Sequence, residues 1–227
     1  MNLPTPWILF IGVALLSWVV SAIFNSRMKK FSKVALDRNL TGADIARKML
    51  RDNGITDVQV VATHGILTDH YNPLNKTVNL FESVYSSNSV AAAAVAAHEC
   101  GHAVQHAKAY APLKLRSALV PAVNFSSKYV FWLLLGGMLM INTFPQLMLA
   151  GIVLFALTTL FSFITLPVEI DASRRALVWL RNEGITNNSL QPMAESALRS
   201  AAYTYVVAAL SSLATLVYYI MIFMDRR

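Results

Sequence analysis

Cysteine is all but missing. Cys100 is the only one in the chain, so no intrachain disulfide can form, and a domain on the reducing, cytoplasmic side of a membrane is compatible with that. Charge is scarce as well: 14% of the residues are charged, against about 25% in soluble domains, and 56% are hydrophobic. With a mean hydropathy of +0.49, these proportions point to a membrane protein. Acids are the rarer sign, 12 Asp and Glu against 19 Lys and Arg, for a formal net charge of +7. Such an excess can serve nucleic acid, but no stacking motif or recognition module accompanies it. Eight of the 19 cations instead fall between Arg27 and Arg51, directly after an apolar run. That placement is an orientation signal beside anionic lipid, and no nucleic-acid partner is expected.

Basic residues are also lacking ahead of the first apolar run, from about Thr5 to Phe24; they follow it, as Arg27, Lys29, Lys30 and Lys33. A signal peptide has the opposite order, so the run reads as an uncleaved anchor. Further runs of spanning length cover about Tyr129 to Phe144, Gln146 to Leu166 and Ala201 to Phe223. The second is short unless it starts earlier and Lys128 snorkels. The charge-free link from Asn142 to Gln146 reads as a tight turn between antiparallel helices. By the positive-inside rule, 25–116 and 171–200 face the cytoplasm, while Met1 to Pro6 and the tight turn lie outside. Arg226 and Arg227 then fall on the wrong side, a minor conflict.

Between the first two spans the pattern is that of an ordinary soluble domain. Thr41 with Asp44 resembles a capping box, although Glu or Gln is the usual third-position partner. Ile45, Met49 and Leu50 form an apolar stripe, and Gly54 stands where a C-cap is expected. Val-rich Asp57 to Thr63 reads as a strand, Gly65 to Tyr71 as a second and Lys76 to Leu80 as a third, with a turn at Asn72-Pro73-Leu74-Asn75. An alanine-rich helix is expected from about Ser89 to Ala107. The heptapeptide Leu50 to Thr56 resembles Leu180 to Thr186, and both read as helix ends with a glycine cap.

The chemistry centres on His98-Glu99-Cys100-Gly101-His102. Histidines four apart share one helical face and can converge on a tetrahedral zinc ion, with Glu99 placed to take a proton from a metal-activated water. A catalytic zinc needs a third protein ligand. His106 continues the series, but eight residues of helix rise about 12 Å, too far for one ion. Lys108 stands where a metzincin has its third histidine. Cys100 faces another side of the helix and reads as a packed residue. After the sheet region, apart from Glu99 and Asp225, the acids are Glu82, Glu169, Asp171, Glu183 and Glu195; Glu169 and Asp171 stand out because they follow Pro167 at the end of the third apolar run. Carboxylates there are costly unless paired or bound to metal, though a helix N-terminus would also favour them.

The stretches Asp69 to Pro73 and Ala97 to His106, with a second block from Leu166 to Leu177, resemble the YugP-type neutral zinc metallopeptidases of bacterial membranes, and beyond them the HtpX and CAAX-protease type of membrane gluzincins. The resemblance implies Glu169 as third zinc ligand, matching the glutamate of a Glu-Phe-x-Ala-Asp motif. Here Ile170 replaces the Phe and Ser173 the final Asp, so the residue that orients a zinc-bound histidine is left open; Asp171, two residues along, lies on the wrong face.

The expected protein is an α+β membrane protein with about four transmembrane helices and a cytoplasmic zincin-like domain of a small β-sheet plus the active-site helix. Its parts are an anchor over 1–25, a metallopeptidase segment over 26–116, a transmembrane hairpin over 117–166, cytoplasmic helices with the third ligand over 167–200 and a last span over 201–227. It is expected to be a multi-pass protein of the cytoplasmic membrane that hydrolyses protein or peptide substrates with Zn2+ on His98, His102 and Glu169 and with Glu99 as base. A strand edge at Lys76 to Phe81 is expected to hold substrate, and His64, His70, Tyr203 and Tyr205 are candidates for oxyanion help. The rival readings are an intramembrane protease and a non-catalytic membrane metal-binding or transport protein. Polar Asp69, Asn72, Asn75 and Asn88 favour a water-accessible site over the first. Against the second, a structural zinc would fill four protein ligands, and the apolar runs hold few polar groups.

Overall fold

A computed structural model describes residues 6–64 and 68–225. The elements in chain order are α1 (Pro6–Phe31), α2 (Gly42–Asp52), β1 (Gln59–Thr63), β2 (His70–Asn72), β3 (Thr77–Phe81), α3 (Glu82–Ser86), α4 (Val90–Ala107), α5 (Ala111–Leu139), α6 (Pro145–Asn182) and α7 (Gln191–Met224). The fold is mostly helical with one small sheet. Among the described residues, four helices are long and apolar enough to cross a membrane: Ile8–Phe31, Ala111–Leu139, Pro145–Asn182 and Gln191–Met224. The expected positions of Met1 to Thr5, Arg226 and Arg227 lie outside the described residues.

The chain divides into two compact units. One holds the described residues through Val19, Lys114–Leu166 and those from Thr204 on. Leu134 of α5 and Met148 and Ile152 of α6 form a buried cluster in it. A Cβ on Gly137 would collide with the backbone of Met148, and one on Gly151 would come within 2.9 Å of Leu134, so glycine is what lets these two helices approach. Ser126 Oγ donates to Leu154 O at 2.7 Å, and Pro145 opens α6 at the position where a missing N–H matters least. The second helix begins well before Tyr129, at Ala111, and carries Pro121 within it.

The other unit holds Val20–Leu113 and Pro167–Tyr203. Its core is a cluster in which the alanines of α4 are the common surface: Ala93, Ala94, Ala96 and Ala97 are fully buried against Ile45, Met49 and Leu50 of α2 and Val78 and Leu80 of β3. Side chains this short bring helix and sheet close. Thr41 and Asp44 close a capping box at the start of α2, with Thr41 N donating to Asp44 Oδ2 at 3.0 Å and Asp44 N to Thr41 Oγ1 at 3.2 Å; Asp does here what Glu usually does. Ser89 caps α4 by accepting from Ala92 N. The two similar heptapeptides end their helices alike. Gly54 and Gly184 take φ of +71° and +60°, and Ile55 and Ile185 return an N–H to Leu50 and Leu180 while burying their side chains.

The sheet order is β1-β3-β2, with β1 parallel and β2 antiparallel to β3. The strand expected to offer a free edge, Lys76 to Phe81, is therefore the central one, paired on both sides. The connection from β1 returns β3 alongside it, and the turn at 72–75 adds β2 to the other side, leaving β1 and β2 as edges. The second strand is also shorter than Gly65 to Tyr71: it begins at His70, and residues 65–67 lie outside the described residues. A further correction concerns Pro167. It does not start a helix; α6 runs through it without a break, so Glu169 and Asp171 are mid-helix residues and no helix N-terminus explains their charge.

Candidate metal centre

Helix α4 sets His98 and His102 one turn apart, with ring centroids 4.8 Å from each other and planes at 82°. Gly101, between them, makes room for α6: a Cβ there would stand 2.6 Å from Ala172 O. That close approach brings Glu169 to both imidazoles. Glu169 Oε2 lies 3.3 Å from His98 Nε2 and 3.6 Å from His102 Nε2, and the three side chains, His98, His102 and Glu169, are only 14%, 12% and 4% exposed. The three residues form a group whose ligand atoms all fall within 4.8 Å of one another.

The dimensions fit a zinc ion. Bonds of about 2.0–2.2 Å in a tetrahedral arrangement separate ligand atoms by about 3.4 Å, between the two observed His–Glu distances. Two imidazoles and one carboxylate are a donor set that zinc accepts, with a fourth position left open.

Each imidazole is also held from behind. Gln105, fully buried, donates through Nε2 to Val168 O at 2.8 Å and to Asp171 Oδ2 at 2.9 Å. Both partners accept only, so the amide oxygen must face His102 Nδ1, 3.1 Å away. That nitrogen then carries the proton and the Nε2 lone pair points at Glu169. Asp171 is itself clamped by Arg174 at 3.0 Å and Arg175 at 2.5 Å. For His98 the partner is Ser173, whose Oγ lies 3.1 Å from Nδ1 and accepts from it in the tautomer that frees Nε2. Burial favours a neutral His102, but the Glu169 carboxylate 3.6 Å away, the charge of Glu99 and the contact with Gln105 outweigh it and raise its pKa.

Glu99 is directed elsewhere. It lies outside the three-residue group, and its Oε2 accepts from the backbone N–H of Tyr71 on β2 at 3.1 Å. Nearby Asp69 accepts from Phe81 N, and its carboxyl is raised by burial and by the neighbouring Glu99.

From residue 6 to residue 224 the sequence matches the family described as "Putative neutral zinc metallopeptidase". The chain belongs to that family. It is also 42% identical over 221 residues to a protein of Bacillus subtilis (strain 168) named "Putative membrane protease YugP", covering 96% of this chain and 97% of that protein. No solved structure matches.

In this family member the structure gathers His98, His102 and Glu169, with Glu99 one residue from the first. Cys100 points away into the core, its Sγ 3.5 Å from Ala46 O, and burial pushes its thiol up. His106 is not in the group; its Nδ1 meets Tyr71 OH at 2.9 Å. Asp171 makes no direct contact with either histidine, in keeping with its face of the helix, but Gln105 bridges the gap to His102. Nothing in the sequence singles out Gln105 beyond its place three residues after His102, on the same side of the helix as that histidine. His64 pairs with Glu82 on the surface, His70 turns to Thr68 and Asn79, and Tyr203 and Tyr205 are exposed on α7.

Proposed function

We propose that the chain is a membrane-bound, gluzincin-type endopeptidase. His98, His102 and Glu169 hold zinc, Glu99 is the general base, and the unit containing α4 is a zincin-like domain facing the cytoplasm. One observation carries the reading: a three-residue donor set of the right size for zinc lies beside a carboxylate that is held outside the group. A structural zinc would recruit a fourth protein ligand, whereas Tyr71 keeps Glu99 back.

Zinc, when bound, supplies a water of lowered pKa and polarises the scissile carbonyl. The protein's own groups do the rest. Glu99 removes the proton of the attacking water and passes it to the leaving amine. Glu169 provides the third ligand on a helix it shares with Ser173 and Asp171, and the latter fixes Gln105, so the imidazoles are oriented before any ion arrives. Substrate backbone pairs at an outer strand, and β2 is the edge that lies against α4. Four candidate spans and the basic residues at the end of the first of them support a place in the cytoplasmic membrane, where membrane-associated proteins and peptides are its substrates.

The test compares wild type with Glu99→Gln, purified in detergent. The variant is expected to keep about one zinc per chain and to lose the chelator-sensitive cleavage of casein that wild type shows. If both bind zinc and neither cleaves casein or a panel of membrane-protein substrates, the metal is structural or transported and the peptidase reading falls.

A further inference from the structure

Tyr71 touches the active-site helix twice. Its backbone N–H donates to Glu99 Oε2 at 3.1 Å, and its hydroxyl lies 2.9 Å from His106 Nδ1. Glu99, His102 and His106 are spaced i, i+3, i+7 and share one face of α4. Glu99 stands about 4.5 Å and His106 about 6 Å along the axis from His102, in opposite directions. The two ends of Tyr71 thus bracket the level of His102, whose Nε2 faces Glu169. A carbonyl group reacting at that level has the Glu99 carboxylate on one side and the phenol on the other.

We propose that the Tyr71 hydroxyl, oriented by His106, donates the hydrogen bond that stabilises the carbonyl oxygen of a bound peptide as that carbon becomes tetrahedral. The inference rests on the peptidase reading and deepens it, since that reading leaves oxyanion help unassigned. As the water oxygen bonds to the carbonyl carbon, one proton passes to Glu99 and the π pair moves onto the carbonyl oxygen. Tyr71 keeps its proton throughout. When the C–N bond breaks, Glu99 returns its proton to the nitrogen and the charge collapses back into a carbonyl.

Other donors fit this task less well. His70 projects from the opposite face of β2 and is engaged by Thr68 and Asn79. His64 is 92% exposed beside Glu82. Tyr71 is half-buried, close enough to solvent for a substrate to reach it, and the ring of His106 lies 5.8 Å from its own. A phenol that accepts from an imidazole N–H is polarised to donate onward, and a donor aimed where charge develops is the kind of group that speeds the chemical step without tightening ground-state binding.

Tyr71→Phe is the decisive variant because it removes the hydroxyl and leaves the backbone N–H on Glu99. In the zinc-loaded enzyme kcat for a casein-derived peptide is expected to fall by about 100- to 1000-fold, with KM, zinc content and Tm unchanged. A phosphinic analogue of the same peptide, which mimics the tetrahedral carbon, is expected to bind the variant weaker by a similar factor in calorimetry. His106→Ala lowers kcat in the same direction, and His106→Gln, whose amide can still donate to the phenol, recovers most of it. A kcat within about twofold of wild type, or a fall matched by lost zinc or lost thermal stability, overturns the assignment of Tyr71 while leaving the peptidase reading in place. A wild type that cleaves nothing withdraws both.

Discussion

Gly101→Ala adds one carbon at a close approach between the histidine helix and the helix of Glu169. That carbon would sit 2.6 Å from Ala172 O and 3.1 Å from Ala172 C and Cα, all of them backbone atoms that no rotamer change can move. Ordinary contact begins near about 3.5 Å, so α6 must retreat locally by about 0.9 Å or α4 must bend by the same amount. Overpacking of this kind costs about 1–3 kcal/mol, and the better helix propensity of alanine returns about 1 kcal/mol. Net stability should therefore drop only slightly. Metal binding is far less forgiving, because ligand distances tolerate about 0.2 Å. Displacing Glu169 and Ser173 together should weaken zinc by at least the roughly 10- to 100-fold typical of a lost supporting contact. The assay is a zinc titration of the apo protein against a competing chelator in detergent, alongside a thermal melt. Gly12→Ala serves as control, since nothing lies within 4 Å of its Cβ position. Zinc affinity within about twofold of wild type in Gly101→Ala would refute the claim that this glycine sets the distance of Glu169 from the two histidines.

Two further outcomes follow from the same structure. Gln105→Leu removes the bridge between Asp171 and His102 and should cost about 10- to 100-fold in zinc affinity, read by the same titration, while Glu99 and its Tyr71 contact are left intact. Thr41→Ala opens the capping box and should destabilise the protein by about 1 kcal/mol at neutral pH in a denaturant melt. The Thr41 hydroxyl and N–H hold the Asp44 carboxyl below its usual value. The stability they contribute is thus present above the unfolded carboxyl pKa of about 3.9 and is lost as the pH falls through the lower folded value, so Thr41→Ala should flatten that acid limb.

Much of this site could be read from residue spacing, and the reasons differ from part to part. The pairing of His98 with His102 on one helical face is legible because four-residue spacing and helix geometry are local facts. The long alanine helix and the paired glycine ends at Gly54 and Gly184 are local for the same reason. Glu169 needed the family resemblance, since no rule of local geometry links residue 169 to residue 102. Gln105 and Tyr71 escape a reading of the sequence because their contacts exist only once distant segments pack. Gln105 is one polar residue in an apolar helix until Val168 and Asp171 arrive, and Tyr71 is one strand residue among several. The misjudged edge of the sheet has a similar cause: a strand's neighbours are set by how the chain returns, and Lys76 to Phe81 looks the same in the middle as at the rim. Pro167 misleads through its usual meaning as a boundary, whereas α6 continues past it.

The place of Glu169 along the chain has a consequence for biosynthesis. His98 and His102 leave the ribosome 67 residues or more before Glu169, and all of α5 and much of α6 lie between them. On the proposed ligand set, the growing chain carries only two of its three metal ligands until the helical hairpin has been made. A nascent protease of this design stays inert while its own unfolded segments, and those of its neighbours on the same membrane, are most open to attack.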